Sequence, residues 1–266
     1  MSEVEAYKPS WKNTNKYGTY IHYFFEYIKN GDLKSLWASI KYVSTHKLPQ
    51  SDYIAKSNMG TFLIRKGTTD FQFINQAYEK SIKDYLAQNI DSFDVFIDLG
   101  ACIGEYSIWL AKQGKTCVAV EPVNWAGLQK NIELNQVQDK IKVFRCGVGD
   151  KKEKVFFNIP VGVTSSSFMD KESSNEPNGE IDTLDNIMAQ VGLSPDTRII
   201  MKLDVEGMEP EAIAGGKTFI QSCKNIRIIY EHFPEDGLRN DKHLSQYANF
   251  QFSNLDEVNR IATKIN

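Results

Sequence analysis

The sequence lacks several features that would settle its class at once. No apolar run is long enough to cross a bilayer, and the longest aromatic stretch, Tyr20 to Ile28, is broken by His22 and Glu26. The N-terminal MSEVEAYKPS has neither the basic nor the apolar region of a signal peptide. The expectation is a cytoplasmic protein with no transmembrane segment. The four cysteines, Cys102, Cys117, Cys146 and Cys223, lie far apart with no metal-type spacing, and are expected as reduced, buried thiols. Neither charge sign dominates. Lys and Arg total 31 against 34 Asp and Glu, a net charge of −3, which argues against a large basic footprint for nucleic acid. There is no internal repeat and no low-complexity tract. At 266 residues, with 41% hydrophobic and 24% charged residues, the chain suits one large α/β domain, or one domain with an extra segment.

What is present changes character near residue 90. Residues 16–48 are aromatic-rich and read as helical. Leu33, Leu36, Trp37, Ile40 and Val43 fall on one helical face, with Asp32 as the cap and Pro49 as the stop. Thr61 to Ile64 predicts a short strand and Phe71 to Ala87 a helix. From residue 94 strands and helices alternate. Val95 to Leu99, Cys117 to Val120, Ile141 to Phe144, Arg198 to Leu203 and Ile226 to Tyr230 read as strands. A helix opened by Gly104, with Ile103, Ser107, Leu110 and Ala111 inward, follows the first. Helices over Trp125 to Asn135 and Thr183 to Val191, and one starting at Pro210 and interrupted at Gly215-Gly216, fill the other intervals. Lys154 to Ile159 reads as an antiparallel excursion and Pro160 to Glu180 as a loop. Leu255, Val258, Ile261 and Ala262 suggest a final short helix. Alternation of this kind predicts a doubly wound, mostly parallel sheet, whose ligands bind beyond the carboxyl ends of the strands.

The residues at those ends carry the chemistry. Asp98-Leu99-Gly100-Ala101-Cys102-Ile103-Gly104 is a strand-to-helix turn, but Cys102 and Glu105 stand where a dinucleotide fingerprint needs glycine. An acid at such a turn suits a cationic ligand better than a pyrophosphate. S-adenosylmethionine (SAM) has an ammonium, a sulfonium and no phosphate. Glu121-Pro122 follows 23 positions after Asp98, near the offset of about 20 at which an acid accepts from ribose hydroxyls. Cys146 to Asp150, which includes Val148, is glycine-rich and can pack beside an adenine or serve as a plain turn. The fourth end, Lys202 to Pro210, gathers Asp204, Glu206 and Glu209, and the fifth adds Glu231 and His232. Glu209 and Glu211 are explained by a helix N-terminus, which favours acids. Asp204 is not.

These segments together resemble the FkbM family of SAM-dependent methyltransferases. The match covers FLIRKGTTDFQFINQAYE (62–79), VFIDLGACIGEYSIWLAKQG (95–114), VAVEP (118–122), VGDKKEKVFF (148–157), DTLDNI (182–187), IIMKLDVEGMEPEAIAGG (199–216) and IIYEHF (228–233). The resemblance implies a Rossmann-like class I methyltransferase fold, with residues 1–58 as an N-terminal helical cap or interface and 59–266 as the catalytic domain. It implies O-methylation of a hydroxyl, on a sugar of a glycan or glycosylated natural product. It implies that Asp98, Gly100, Ala101, Gly104, Glu121, Pro122 and Val148 bind SAM, and that Arg65, Thr69 and Asp70 touch or close over it. Asp204 and Glu206 would lie beside the methyl. The family usually has Asn where Cys102 stands.

An alcohol needs a base or a metal to become a nucleophile. Asp204 and His232 are the base candidates. In the other version Asp204 and Glu231 hold a divalent cation, magnesium or manganese. Two rival readings are a nucleic-acid methyltransferase, which lacks support from any N-P-P-Y motif, and a non-catalytic SAM-binding scaffold. The N-terminal helices are expected as a cap, as a homodimer interface, or in contact with a membrane-linked carrier.

Overall fold

The computed structural model describes residues 9–12, 16–158, 168–170, 175–233 and 237–265, with the backbone alone for 168–170. The chain opens with α1 (Tyr17–Lys29) and α2 (Leu33–Thr45), then the hairpin of β1 (Tyr53–Ser57) and β2 (Gly60–Ile64), then α3 (Asp70–Phe73) and α4 (Lys80–Gln88). The alternating part follows as β3 (Val95–Leu99), α5 (Glu105–Lys112), β4 (Thr116–Val120), α6 (Trp125–Asn135) and β5 (Ile141–Phe144). Next come β6 (Gly147–Gly149), β7 (Glu153–Asn158), β8 (Phe168–Asp170), β9 (Gly179–Thr183) and α7 (Leu184–Val191). The chain ends with β10 (Arg198–Leu203), α8 (Glu209–Gly215), α9 (Lys217–Ser222), β11 (Asn225–Glu231), α10 (Arg239–Leu244), β12 (Phe250–Asn254) and β13 (Asn259–Lys264).

The seven-stranded sheet runs β12-β13-β11-β10-β3-β4-β5. β3, β4, β5, β10 and β11 are parallel, and β13 is antiparallel to both its neighbours. All five residues of β3 are buried, as a strand covered on both faces requires. Its alternate side chains feed two separate cores. Phe96 packs with α4, α5 and α6 on one face, while Val95, Ile97 and Leu99 pack with α7, α8 and α9 on the other. This is the three-layer Rossmann-like arrangement of class I methyltransferases. The chain winds from β3 outward through β4 to β5, and from β10 outward to β11. The reversal falls between β3 and β10, where open α/β sheets bind ligands. A smaller sheet runs β6-β9-β7-β8, and its β6 lies against α8.

Several sequence expectations are corrected. The predicted final helix is instead the β12–β13 hairpin. Asp256 accepts bonds from the Val258 and Asn259 N–H groups and so turns the chain. Ile261 and Ala262 then face opposite cores, a strand pattern. The helix expected over 71–87 breaks into α3 and α4, because Glu79 takes a left-handed conformation at φ 45°. Fully buried Lys83 holds the break open by donating to the carbonyls of Phe73, Asn75 and Tyr78. In α2 Asp32 caps as expected, by accepting from Ser35 N–H, but the expected apolar face is only partly buried, through Val43 and Leu36. Leu33 and Trp37 stay exposed and Ser35, Ser39 and Val43 turn inward. α5 is buried from Glu105 to Ala111 rather than on one face. The loop expected over 160–180 contains β8 and the start of β9, and its residues 160–167 and 171–174 lie outside the described part. The β1–β2 hairpin straddles residue 58, so the N-terminal segment and the rest of the chain share it.

Candidate active site

Above the switch point a cavity is lined by the turns after β3, β4, β5 and β10 and by the segment between α3 and α4. The turn after β3 has little freedom. Gly100 has φ 86°, and a Cβ there would lie 1.8 Å from the carbonyl oxygen of Asp204. The Asp204 N–H in turn donates to the Leu99 carbonyl at 3.0 Å. Only a residue without a side chain lets the ends of β3 and β10 come this close. Gly104 has φ 85° and its missing side chain leaves room for Leu128, which a Cβ would meet at 2.3 Å. Cys102 has φ 47°, a conformation Asn adopts more readily than most residues, which gives a physical reason for the family's preference there.

Glu121, 4% exposed, sits at the tip of β4 as the hub of the second turn. Its Oε2 accepts from Cys102 N–H at 2.9 Å, and its Oε1 from Val123 and Asn124 N–H at 2.7 Å each. Burial raises the Glu121 carboxyl above its ordinary value, and the three N–H bonds with nearby Arg65 pull against that rise. Asn124 is fixed from behind. Its Oδ1 accepts from Arg65 Nη1 at 2.9 Å, and Arg65 forms a two-pronged pair with fully buried Asp70 at 2.8 and 3.0 Å.

At the tip of β10, Lys202 Nζ donates to Asp204 Oδ2 at 2.5 Å and lies 3.9 Å from Glu79. Burial pulls the Lys202 ammonium down, but Asp204, Glu79 and Asp98 together hold it well above the ordinary lysine value. Glu79 also accepts from the Tyr106 hydroxyl at 2.7 Å. Behind this wall Asp98 accepts from Ser107 Oγ at 2.7 Å, and burial pushes its carboxyl up to about 6. Glu206, with φ 52°, stands on the exposed rim. Desolvation by the cleft, then Asp204, Glu231 and Glu209, push it up to about 8. Glu231, at the end of β11, is pushed up to about 7 by burial and by Asp204.

The family model of the methyltransferase FkbM domain matches residues 98–257. The chain belongs to the FkbM methyltransferase family. Among solved structures it is similar to an FkbM methyltransferase from Methylobacillus flagellatus, at 16% identity and a TM-score of 0.46, over 74% of this chain and 56% of that one. It is also similar to the Pyrococcus abyssi tRNA (uracil-54, C5)-methyltransferase in complex with S-adenosyl-L-homocysteine, at 14% identity and a TM-score of 0.44, over 80% of this chain and 43% of that one. A third is the precorrin-6y C5,15-methyltransferase of Geobacter metallireducens, at 12% identity and a TM-score of 0.39, over 68% and 87%. The chain spans about half the length of the first two. No curated protein sequence matches it.

In this FkbM chain the cavity wall includes Gly100, Glu121, Pro122, Val148, Asp204 and Glu206 of the residues singled out from sequence. Asp98, Ala101, Gly104 and Asp70 stand behind the wall, where they support the turns. His232 follows β11 and donates its N–H to the Val258 carbonyl, and neither it nor Glu231 is part of the lining. Glu209 receives Val205 and Gly207 N–H on one oxygen and Arg239 on the other, which makes it a cap for its loop. Among the described residues no group of three or more His, Cys, Asp or Glu is arranged to hold a metal, and one oxygen of Asp204 is taken by Lys202. Also among those residues, no helix is long and apolar enough to cross a membrane. Reading strand ends alone missed Lys202, Glu105, Asn124, Tyr78 and Glu79. A signal existed for Lys202, a charged residue inside an otherwise apolar strand that is buried on both faces.

Proposed function

We propose that the chain is a SAM-dependent O-methyltransferase that methylates a hydroxyl of a sugar-bearing acceptor, with residues 59–266 as the catalytic part and 1–58 as a brace for the cavity. The observation that carries this is the placement of Glu121 and the Lys202–Asp204 pair on one cavity at the β3–β10 switch point. The residues fit SAM. Glu121 keeps one acceptor site, on Oε2, for a ribose hydroxyl, Gly100 opens space along the turn, and the wall carries a buried carboxylate oxygen, on Glu105, with no partner. Val148 and Pro122 offer apolar contact to an adenine.

When bound, SAM would supply an electrophilic methyl group on a sulfonium centre, with the neutral thioether as leaving group. The protein's part is alignment and proton removal. Lys202 holds Asp204 by Oδ2, which leaves Oδ1 to accept the hydroxyl proton of the acceptor. The Glu206 carboxyl on the rim suits a hydroxyl-rich acceptor, since it can bond two neighbouring hydroxyls. No metal enters this scheme. α1 braces the wall because Tyr27 Oη donates to the Phe71 carbonyl and Asn75 Nδ2 to the Tyr23 carbonyl. Transfer of radiolabelled methyl from SAM to a panel of glycans tests the reading. Incorporation that Asp204→Asn abolishes supports it. Labelling of RNA or DNA instead, or of nothing, contradicts it.

A further inference from the structure

We propose that the outer face of α1 and α2 docks on an anionic lipid bilayer. Ile21, Phe25 and Ile28 recur at helical spacing and share one face of α1. Leu33 and Trp37, one turn apart, stand on α2, which packs against α1. All five side chains are between 58% and 68% exposed. The other faces of the two helices are in use, with Tyr20 and Tyr27 of α1 and Ser35, Ser39 and Val43 of α2 buried. α2 thus buries two serines and exposes a tryptophan, the reverse of a helix that only covers a core. Of the twelve large hydrophobic residues exposed among the described residues, eight lie within 11–54. Exposed apolar surface gathered in this way marks an interaction site rather than scattered surface residues.

Charge selects the occupant. Residues 9–50 hold six lysines against two acids, a net charge of +4 in a chain whose total is −3. Lys12, Lys16, Lys29, Lys34, Lys41 and Lys47 are all exposed. Of the acids, Asp32 is buried as the cap of α2 and Glu26 lies 3.7 Å from Lys29. Two copies of such a face would repel each other, and the cores of protein interfaces are poor in lysine. A bilayer with anionic headgroups suits both parts of the pattern. Its surface attracts the lysines, whose stems reach along the apolar side chains, while Trp37, Phe25 and their neighbours enter the boundary of the acyl chains. Each helix has 13 residues, about 20 Å, so it lies along the bilayer and does not cross it. The bonds by which α1 braces the cavity, from Tyr27 to Phe71 and from Asn75 to Tyr23, do not involve the five exposed apolar side chains. The proposal is independent of the methyl acceptor.

Co-sedimentation of the full chain with vesicles tests this. The lipids are phosphatidylcholine alone and phosphatidylcholine mixed with phosphatidylserine. The wild type is expected to bind the mixed vesicles at low salt, about tenfold more weakly the phosphatidylcholine ones, and to lose that preference as salt rises. Phe25→Ser with Trp37→Ser is expected to weaken binding to the mixed vesicles about tenfold and to leave the Tm unchanged, since both side chains point away from the core. Lys29→Gln with Lys34→Gln, which removes no apolar side chain, is expected to reduce the preference for phosphatidylserine. Wild-type binding to neither vesicle, equal binding to both, or a folded Phe25→Ser, Trp37→Ser chain that binds like the wild type would overturn the proposal. So would a wild-type dimer in analytical ultracentrifugation that the same two substitutions dissolve, which would give the face to a second copy of the chain. The comparison of lipids uses the wild type alone and survives a folding failure of either variant.

Discussion

The carbonyl oxygen of Asp204 stands 1.8 Å from where a Cβ on Gly100 would be. The turns after β3 and β10 are therefore packed backbone to backbone, and neither can move alone. Gly100→Ala is expected to push these two turns apart and to strain a positive φ. A cost of about 1–3 kcal/mol follows from overpacking, or several degrees in Tm at about 2–4 °C per kcal/mol for a chain of this size. Thermal melts and S-adenosylhomocysteine binding check it, and both should fall.

Glu121→Gln is expected to lose stability as well as cofactor affinity, because the amide NH2 would face the Cys102 N–H that Oε2 now accepts. The amide retains one acceptor oxygen but loses the charge that strengthens a bond to a ribose hydroxyl. A loss of about tenfold, near 1.4 kcal/mol, is the expected scale in calorimetry.

Asp70→Ala is expected to act on stability first. Asp70 is fully buried and its partner Arg65 is about three-quarters buried. Removing one member strands the other, at about 3 kcal/mol. Because Arg65 holds Asn124, cofactor binding should weaken as well, and Arg65→Met with Asp70→Ala should cost less than the sum of the two single changes.

Glu105 links stability to pH. Its carboxyl is raised in the folded state above its unfolded value, so its contribution is full below the ordinary glutamate range and is lost as pH rises through about 8. The wild-type Tm should therefore fall, relative to Glu105→Gln, between pH 5 and pH 9. Melts across that range read it directly.

Much of the scaffold was legible in the sequence because β3, β4, β10 and β11 are short apolar runs ending in Gly or acids. Glu121 and Asp204 were singled out for that reason, and both line the cavity. β13 was hidden, since it is buried on both faces over Ile261-Ala262 and its turn depends on the side chain of Asp256, not on a glycine or proline signal. The break between α3 and α4 was hidden too, because it depends on a buried lysine reaching three carbonyls. The match at Arg65 and Asp70 suggested cofactor contact. The structure places them one layer back, as the ion pair that fixes Asn124. Tertiary partners of this kind leave no periodic trace.

A crystal structure with S-adenosylhomocysteine bound tests the central claim most directly. The predicted result places a ribose hydroxyl on Glu121 Oε2 and the sulfur facing Asp204 across the turn at Gly100. Ligand bound elsewhere, or a Glu121 carboxylate that does not touch the ribose, would contradict it.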